Sequence, residues 1–230
     1  MTHGDDAEDL SPYLAPTCFV DSDHPNVVAY AGRAAGDAVG DVDRAVRLFY
    51  AVRDGLLYDP YTVSAVRDAY RASEVLRRTR AFCVPKALLL AAAARSLGIP
   101  ARLGFADVKN HLTSEKLRAR MGTDLFVFHG YAELHLGGRW VKATPAFNLA
   151  LCQRLGTVPL EFDGQSDALL QPFDRSGRRH MEYVHDRGTY AELPFEEMIR
   201  VFAATYGSWS SDASEHDEAF HGEGKKEAPD

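Results

Sequence analysis

The feature that most constrains the fold is the segment KALLLAAAARSL, from Lys86 to Leu97, which is apolar on almost every side of a helix. A helix of this kind has to be buried inside the protein. Pro85 suits its first turn, where a missing N–H costs nothing, while Gly98 followed by Pro100 predicts its end. The chain is therefore predicted to fold around one buried helix that begins just after Cys83.

The clearest β pattern lies between Leu125 and Asn148, and Gly137-Gly138 predicts a two-residue hairpin turn within it. With this turn, Glu133 is paired with Lys142. One strand face is then polar and the other apolar, so the register is self-consistent. The polar face carries His129, Tyr131, Glu133, His135, Lys142, Thr144 and Asn148. The apolar face is expected to pack against the buried helix.

The rest of the chain is divided by composition. Residues 1–40 have no sustained period and are predicted to wrap the body as loop with one short element. Residues 41–207 form the predicted domain, with an extension from residue 149 that is interpreted as long loops, short strands such as Met181–Val184 and a last helix over Pro194–Tyr206. The polar, acidic residues 208–230 are predicted to be a disordered tail. Further helices are predicted over Val42–Arg53, Ser64–Arg78 and Ser114–Met121, and a strand over Ala101–Ala106.

Charge and cysteine usage exclude several classes of function. The 230 residues carry 26 basic and 33 acidic side chains, a formal net charge of −7, which argues against a general nucleic-acid-binding protein. The longest apolar run, Ala87–Ala94, is far shorter than the ~20 residues that a membrane span needs. Three cysteines cannot form a disulfide framework, and the acidic N-terminus does not resemble a signal peptide. We therefore expect a cytoplasmic protein with reduced thiols and no membrane partner.

Cys83 differs from the other two cysteines by its position. Cys18 lies in a loop-like stretch and Cys152 has apolar neighbours, so both are interpreted as small inert hydrophobes. Cys83 opens the buried helix, where the helix dipole and free N–H groups favour an anion and can lower a thiol pKa. On this fact alone, a buried structural cysteine at a helix start remains the alternative.

A cysteine nucleophile needs a base beside it. His111, in the loop after the predicted strand, has either a loop role or a role at the rim of a site, and His129 is a further candidate that is not convincing in isolation. His129 lies in the middle of a strand on the polar face of the hairpin, where a structural role is also open. The histidines and cysteines lack a recognised metal-ligand spacing such as C-x-x-C or H-E-x-x-H. We expect neither a metal nor another cofactor.

The order and surroundings of these residues resemble the transglutaminase-like superfamily, whose fold belongs with the papain-like cysteine proteinases. In that family a Cys opens an apolar helix that ends in R-x-x-G-I-P-A-R, as Cys83 and Arg95–Arg102 do here. The family's H-A-W-x-E-V segment corresponds to His129–Leu134. Its G-x-W and D-P-T segments correspond to Gly138–Trp140 and Thr144–Ala146.

The resemblance covers about residues 45–148 and implies an α+β fold with a papain-like core, a central buried helix packed on an antiparallel β-sheet. It also implies a Cys-His-Asp triad, with Cys83 as nucleophile and His129 as general base. Thr144 stands where the family has Asp, and a threonine hydroxyl can accept from an imidazole N–H but carries no charge to stabilise the imidazolium. Asn148, diagonal to His129 on the other side, is the alternative orienting residue.

Two aromatic residues, Tyr131 and Trp140, are candidates to line the substrate cleft, although core packing is also open for Trp140. Glu133 is four strand residues from His129, a distance of ~13 Å, so its expected partner is Lys142 rather than the imidazole. The backbone N–H of the nucleophile is the expected oxyanion donor.

The sequence therefore predicts a cysteine-dependent acyl-transfer enzyme that acts on a peptide, protein or small amide through a thioester. A peptidase or amidase is favoured over a cross-linking transglutaminase, by analogy alone. The alternative, which Thr144 keeps open, is a catalytically degenerate domain that binds a peptide or partner protein in the cleft. A third interpretation is a redox-responsive thiol protein that uses Cys83 without acyl chemistry. No nucleic-acid partner is expected.

Overall fold

The computed structural model describes residues 8–111, 113–170 and 173–207, so the predicted tail 208–230 lies outside the described residues. The helices are α1 (Pro25–Ala35), α2 (Gly40–Gly55), α3 (Ala72–Val75), α4 (Cys83–Ser96), α5 (Glu115–Met121), α6 (Leu149–Leu155) and α7 (Phe195–Tyr206). The strands are β1 (Leu57–Tyr58), β2 (Arg80–Ala81), β3 (Ala101–Asn110), β4 (Leu125–Leu136), β5 (Arg139–Ala143) and β6 (Met181–Tyr190).

The main sheet has four strands in the order β5-β4-β3-β6, and each neighbouring pair is antiparallel. Strands β1 and β2 form a separate short parallel pair. Helix α4 packs against β4, and α1, α2 and α3 pack against α4 as well. This arrangement of a central helix on an antiparallel sheet is the α+β fold that the sequence predicts.

Helix α4 has the predicted bounds and the predicted burial. Its residues from Cys83 to Arg95 are all buried, because no side of the helix carries enough polar surface to face water. Gly98 ends the helix with a φ of +79°, and the Ile99 N–H donates to the carbonyl of Ala94 at 3.0 Å. A glycine in this conformation is the usual C-terminal cap.

Arg95, in the last turn of α4, connects the helix to distant segments. Its buried guanidinium donates to the carbonyls of Ala101, Ala15 and Ala191 at 2.6 to 2.9 Å. Burial lowers the pKa of this guanidinium to about 10. The side chain thus holds the N-terminal segment, β3 and the segment before α7 on one helix end.

The β4–β5 hairpin has the predicted register, with Glu133 opposite Lys142. Gly137 and Gly138 form the turn with φ values of +59° and +82°, as a type I′ turn requires. Most of the predicted polar face is nevertheless buried, while His135 and Lys142 are half-buried. Glu133, for example, is held by Arg102 at 2.7 Å more closely than by Lys142 at 3.8 Å.

Three predicted segments differ from the structure. The N-terminal segment contains the 11-residue helix α1, whose buried Val27, Ala31 and Ala35 follow a helical spacing that glycine and alanine neighbours obscure. The predicted helix over Ser64–Arg78 is instead a 3-10 turn over Arg67–Tyr70 followed by the short α3, since Arg71 between them is extended.

The segment after residue 149 is also more regular than expected. It begins with α6, and the short strand predicted at Met181 continues as β6 to Tyr190, where its pairing with β3 supplies hydrogen bonds that no local pattern reveals. Within the described residues, the helices lack the length and apolar character needed to cross a membrane.

Candidate active site

Cys83 is the first residue of α4, and only 8% of it is exposed. Burial raises the pKa of its thiol to about 11, although the backbone N–H groups of Gly130, Val84 and Cys83 itself donate towards the sulfur and oppose part of the rise. The lowered thiol pKa expected for a helix start is therefore not found here, because the loss of water around the sulfur outweighs the helix N–H groups.

His129 lies on β4 and is 4% exposed. Burial lowers the pKa of its imidazole to about 4, because a charged ring would be cut off from water. Its Nε2 is buried without a hydrogen-bond partner among the described residues. At neutral pH, Cys83 and His129 are thus an uncharged thiol and an uncharged imidazole.

Cys83 and His129 line the same pocket, which has a volume of about 30 Å³. That volume holds roughly one or two water molecules. The other lining residues come from β1 and the loop after it, from the residue before α4, from β4 and from α7: Tyr58, Pro60, Val63, Phe82, Phe126, Val127, Phe128, Phe202 and Tyr206. The structure therefore brings the two predicted catalytic residues together in a small, mostly aromatic enclosure.

Gly130, directly after His129, permits a close approach of β4 to the start of α4. A Cβ atom at Gly130 would lie 3.0 Å from both the Cα and the Cγ2 of Val84, closer than ordinary packing allows. The missing side chain is thus what lets the strand that carries His129 lie directly on the turn that carries Cys83.

A β-bulge precedes His129. Ala106 of β3 is paired with His129 and Val108 with Phe126, so Asp107 faces two residues of β4. One of these is Phe128, which has a φ of +53°, a conformation that costs energy for a bulky residue. The bulge changes the course of β4 directly before His129, which lines the pocket with Cys83.

Asp107 and Arg187 hold this bulge in place. Asp107 Oδ1 accepts a hydrogen bond from the Phe128 N–H at 3.1 Å, and the carboxylate is bonded to Arg187 Nε at 2.5 Å and Nη2 at 2.8 Å. The Arg187 guanidinium also lies 4.6 Å from the centre of the Phe128 ring. Together these contacts offset the strain at Phe128.

Replacing Asp107 with alanine is expected to lower the free energy of unfolding by about 3 kcal/mol, because Arg187 is left without its partner and the Phe128 N–H without an acceptor. Urea denaturation measures this change. Asp23→Ala is the control, since Asp23 is exposed. Equal losses in the two variants would show that Asp107 does not hold the bulge.

Stability should fall in acid because of His129. Its pKa is lower in the folded state (about 4) than in the unfolded state (about 6.5), so the unfolded chain binds more protons between these values. The contribution of the uncharged His129 to stability is complete above pH 6.5 and is lost as the pH falls to 4. The free energy of unfolding should fall by roughly 3 kcal/mol over this range. Denaturant titrations from pH 7 to 4 test this, and His129→Gln should show a shallower fall. Identical pH profiles would contradict it.

Thr144 lies just beyond the end of β5 and is 3% exposed. Its N–H donates to the carbonyl of Ala168 at 2.8 Å, while its Oγ1 is buried without a partner among the described residues. One further step along the β4–β5 register would place Thr144 opposite Tyr131 and diagonal to His129. Because this hydroxyl has no partner, it does not accept a hydrogen bond from the His129 ring, and the predicted orienting contact is not found among the described residues.

Asn148 has a different neighbour from the one predicted. Its Oδ1 accepts a hydrogen bond from the Tyr58 N–H at 3.0 Å. This bond ties the start of α6 to β1, beside the loop that lines the pocket. The described contacts do not connect Asn148 to His129.

The two predicted cleft aromatics are not brought to the pocket. Tyr131 lies across Gly104, where a Cβ atom would come within 2.2 Å of the ring, and Lys142 Nζ lies 5.5 Å from the ring centre. Trp140 donates its indole N–H to Glu8 at 2.8 Å, at the hairpin end of the sheet. Both residues pack the sheet rather than line the enclosure around Cys83.

The sequence interpretation missed the residues of α7 that cover the pocket. Tyr206 Oη accepts from the Val127 N–H at 2.7 Å and lies 3.3 Å from the carbonyl oxygen of Leu125, to which it donates. Phe202 lies one turn earlier and also lines the pocket. The helical spacing of Phe195, Met198, Phe202 and Tyr206 marks a buried face, but not the surface that it covers.

The described residues contain no cluster of three or more His, Cys, Asp or Glu side chains that could hold a metal ion.

Comparison with solved structures finds proteins of low sequence identity to this chain. A candidate cysteine protease from Cytophaga hutchinsonii is 16% identical, with a TM-score of 0.46, over 79% of this chain and 54% of that one. A candidate protease from Parabacteroides distasonis is 13% identical, with a TM-score of 0.38, over 55% of this chain and 26% of that one. The chain thus spans about half the length of the first protein and about a quarter of the second.

No curated protein matches the chain. A family model does: the model of the transglutaminase-like superfamily matches residues 28–145, just over half of the sequence. This stretch runs from α1 through the Cys83 helix and His129 to the end of the hairpin. The chain belongs to the transglutaminase-like superfamily.

Proposed function

We propose that this protein is a cysteine-dependent acyl-transfer enzyme that acts on amide or peptide bonds through a thioester. The observation that carries the proposal is that Cys83, at the start of the buried helix α4, shares one pocket with His129. A thiol, a base and backbone N–H donors in one enclosure are the groups that acyl transfer requires.

The proposed reaction begins when the His129 imidazole takes the proton of the Cys83 thiol. The thiolate then forms a bond to the substrate carbonyl carbon, and the carbonyl oxygen becomes an oxyanion. The oxyanion collapses, the C–N bond breaks, and the imidazolium returns its proton to the leaving amine. Water, deprotonated by His129, attacks the remaining thioester, which releases the carboxylic acid and restores the thiol.

Backbone N–H groups lie near the reacting sulfur. Those of Gly130, Val84 and Cys83 act on the thiol and lower its pKa against the effect of burial. A carbonyl carbon attacked by that sulfur brings its oxygen into the same neighbourhood. Donors fixed by α4 and β4 stabilise the developing charge without having to reorient.

The closed pocket has to open before acyl transfer begins. Cys83 and His129 are 8% and 4% exposed, so Phe202 and Tyr206 of α7, or the loop after β1, have to move aside before a substrate carbonyl reaches the sulfur. Hydrolysis, as in a peptidase or amidase, is preferred over cross-linking by analogy.

The rate of Cys83 alkylation against pH tests the proposal. The substitutions Cys18→Ser and Cys152→Ala remove the other two thiols, so that the measured alkylation is that of Cys83 alone. In the closed protein, the rate should rise only towards pH 11, because burial keeps the thiol protonated. Tyr206→Ala should open the pocket and produce a fast phase with a midpoint below ~8.5, since water then joins the N–H donors around the sulfur.

This fast phase should disappear when His129→Gln is added, and Tyr206→Phe, which keeps the ring, should stay closed. A fast phase that does not depend on His129 would contradict the proposed pair. An opened protein whose thiol titrates at its ordinary pKa would contradict it as well.

A second candidate function is the binding of a peptide or partner protein by a degenerate cleft. It is favoured by the neutral Thr144 at the Asp position and by the unpartnered Thr144 Oγ1 and His129 Nε2. In that case a bound peptide would protect Cys83 from alkylation, and Cys83→Ala would bind it as well as the wild type. Turnover of amide or ester substrates would exclude this function as the main one.

A further inference from the structure

A second pocket lies on a different part of the surface from the Cys83 pocket and has a volume of about 320 Å³. It opens between α1, the end of α2, the segment after α3 and the middle of α4. Its polar lining residues are Asn26, Tyr30, Arg33, Arg77 and Arg78. This volume is within the range typical of small-molecule sites, and none of its lining residues lines the Cys83 pocket.

The pocket concentrates positive charge in a chain whose net charge is −7. None of its described lining residues is acidic. Arg77 lies 3.8 Å from Glu74, an exposed and weak pair. Among the described residues, Arg33 and Arg78 have no carboxylate within salt-bridge distance.

Arg78 is the fixed part of this cluster. Its Nη2 donates to the carbonyl of Ala69, and burial lowers the pKa of its guanidinium. Glu74 acts on this guanidinium only from beyond salt-bridge distance. A half-buried cation without a close carboxylate is unfavourable, and an anion bound nearby would offset that cost. Burial also raises the pKa of Tyr30 to about 12, so its hydroxyl remains a hydrogen-bond donor at neutral pH.

The remaining walls are apolar. Leu56, Leu76 and Leu89 provide most of them, beside the backbone of Gly55. Leu89 is six residues after Cys83 on α4, which corresponds to about 9 Å along the helix axis. The site therefore combines guanidinium groups with a hydrophobic wall and lies on the same helix as the candidate nucleophile.

We propose that this pocket binds a small multivalent oxyanion with a compact apolar body, either a phosphate ester or a dicarboxylate. Guanidinium groups bind both anions through paired N–H···O hydrogen bonds, and the leucine wall accepts the body. The inference does not depend on the chemistry proposed for Cys83.

Isothermal titration calorimetry with phenyl phosphate, phthalate, inorganic phosphate and benzyl alcohol tests the proposal. One or both of the aromatic anions should bind more tightly than inorganic phosphate, and benzyl alcohol should not bind. Phenyl phosphate and phthalate distinguish the two anion classes. Affinity should fall as salt rises, because the attraction is partly electrostatic.

Arg33→Gln and Arg77→Gln should each weaken binding about tenfold, since each removes a charged hydrogen bond to the anion. Both residues are exposed, so both variants are expected to fold, which circular dichroism checks. Arg44→Gln is the matched control, because it removes the same charge from α2 outside the pocket. Unchanged affinity in the two pocket variants, an equal loss in the control, or no binding of either aromatic anion would overturn the proposal.

Discussion

Replacing Cys83 with serine is expected to reduce acyl transfer by about 10⁴-fold or more. A hydroxyl in the same place is a far weaker nucleophile than a thiol, because it is much less acidic and the same imidazole deprotonates it much less. Serine has nearly the size of cysteine, so the packing at the start of α4 should be preserved. The rate of hydrolysis of an activated ester, with intact mass to detect the acyl-enzyme, measures the effect.

Cys152→Ala is the matched control for this substitution. Cys152 is also buried, but it lies on α6 and its Sγ faces the carbonyl of Phe147 at 3.9 Å rather than the pocket. Its removal should leave both the rate and the acyl-enzyme unchanged. A Cys83→Ser protein that keeps its activity would refute the proposed chemistry. An acyl group found on Cys152 would show that Cys152, and not Cys83, is the nucleophile.

Replacing Thr144 with aspartate is expected to increase the rate by about 100-fold, because the loss of the acid from related triads costs up to ~10⁴-fold. A carboxylate at this position could accept from the imidazole N–H and stabilise the imidazolium. The pKa of His129 should then rise from its present value of about 4. The pH dependence of the rate should shift with it.

Thr144→Asn separates charge from shape, since asparagine has the form of aspartate without its charge. It should orient the ring but raise the rate much less than Thr144→Asp. Equal rates in the two variants would show that the missing charge is not what limits the site. Folding should be checked by urea denaturation, because a buried carboxylate without a charged partner costs stability.

Much of the fold could be predicted from local patterns. The residues that determine the apolar α4, its glycine cap and the Gly137-Gly138 hairpin lie within about a dozen residues of one another in each case. Local sequence is therefore enough to predict these elements. Helix α1 and most of β6 could not, because their stability comes from α4 and β3, which are distant in sequence. The bulge at Phe128 could not be predicted from local sequence either, since Asp107 and Arg187, which stabilise it, lie on two other strands.

The site was predicted in part. Order along the chain and the family resemblance selected Cys83 and His129, and the structure places them in one pocket. The pKa of the thiol could not be anticipated, because it depends on aromatic side chains from α7, about 120 residues later in the chain. Tyr131 and Trp140 have the right residue type for a cleft, but they face other parts of the sheet.

The complete burial of α4 has a consequence for hydrogen exchange. Amide protons of a fully buried central helix exchange with solvent mainly when the whole domain unfolds, whereas those of a helix on the surface exchange through local opening. The amides of α4 should therefore be among the slowest in the protein and report its global stability. The amides of α7 should exchange faster and report the opening of the Cys83 pocket. One deuterium-exchange experiment thus measures global unfolding and the opening of the pocket separately. Cys83 lies on α4, the helix whose amides exchange more slowly.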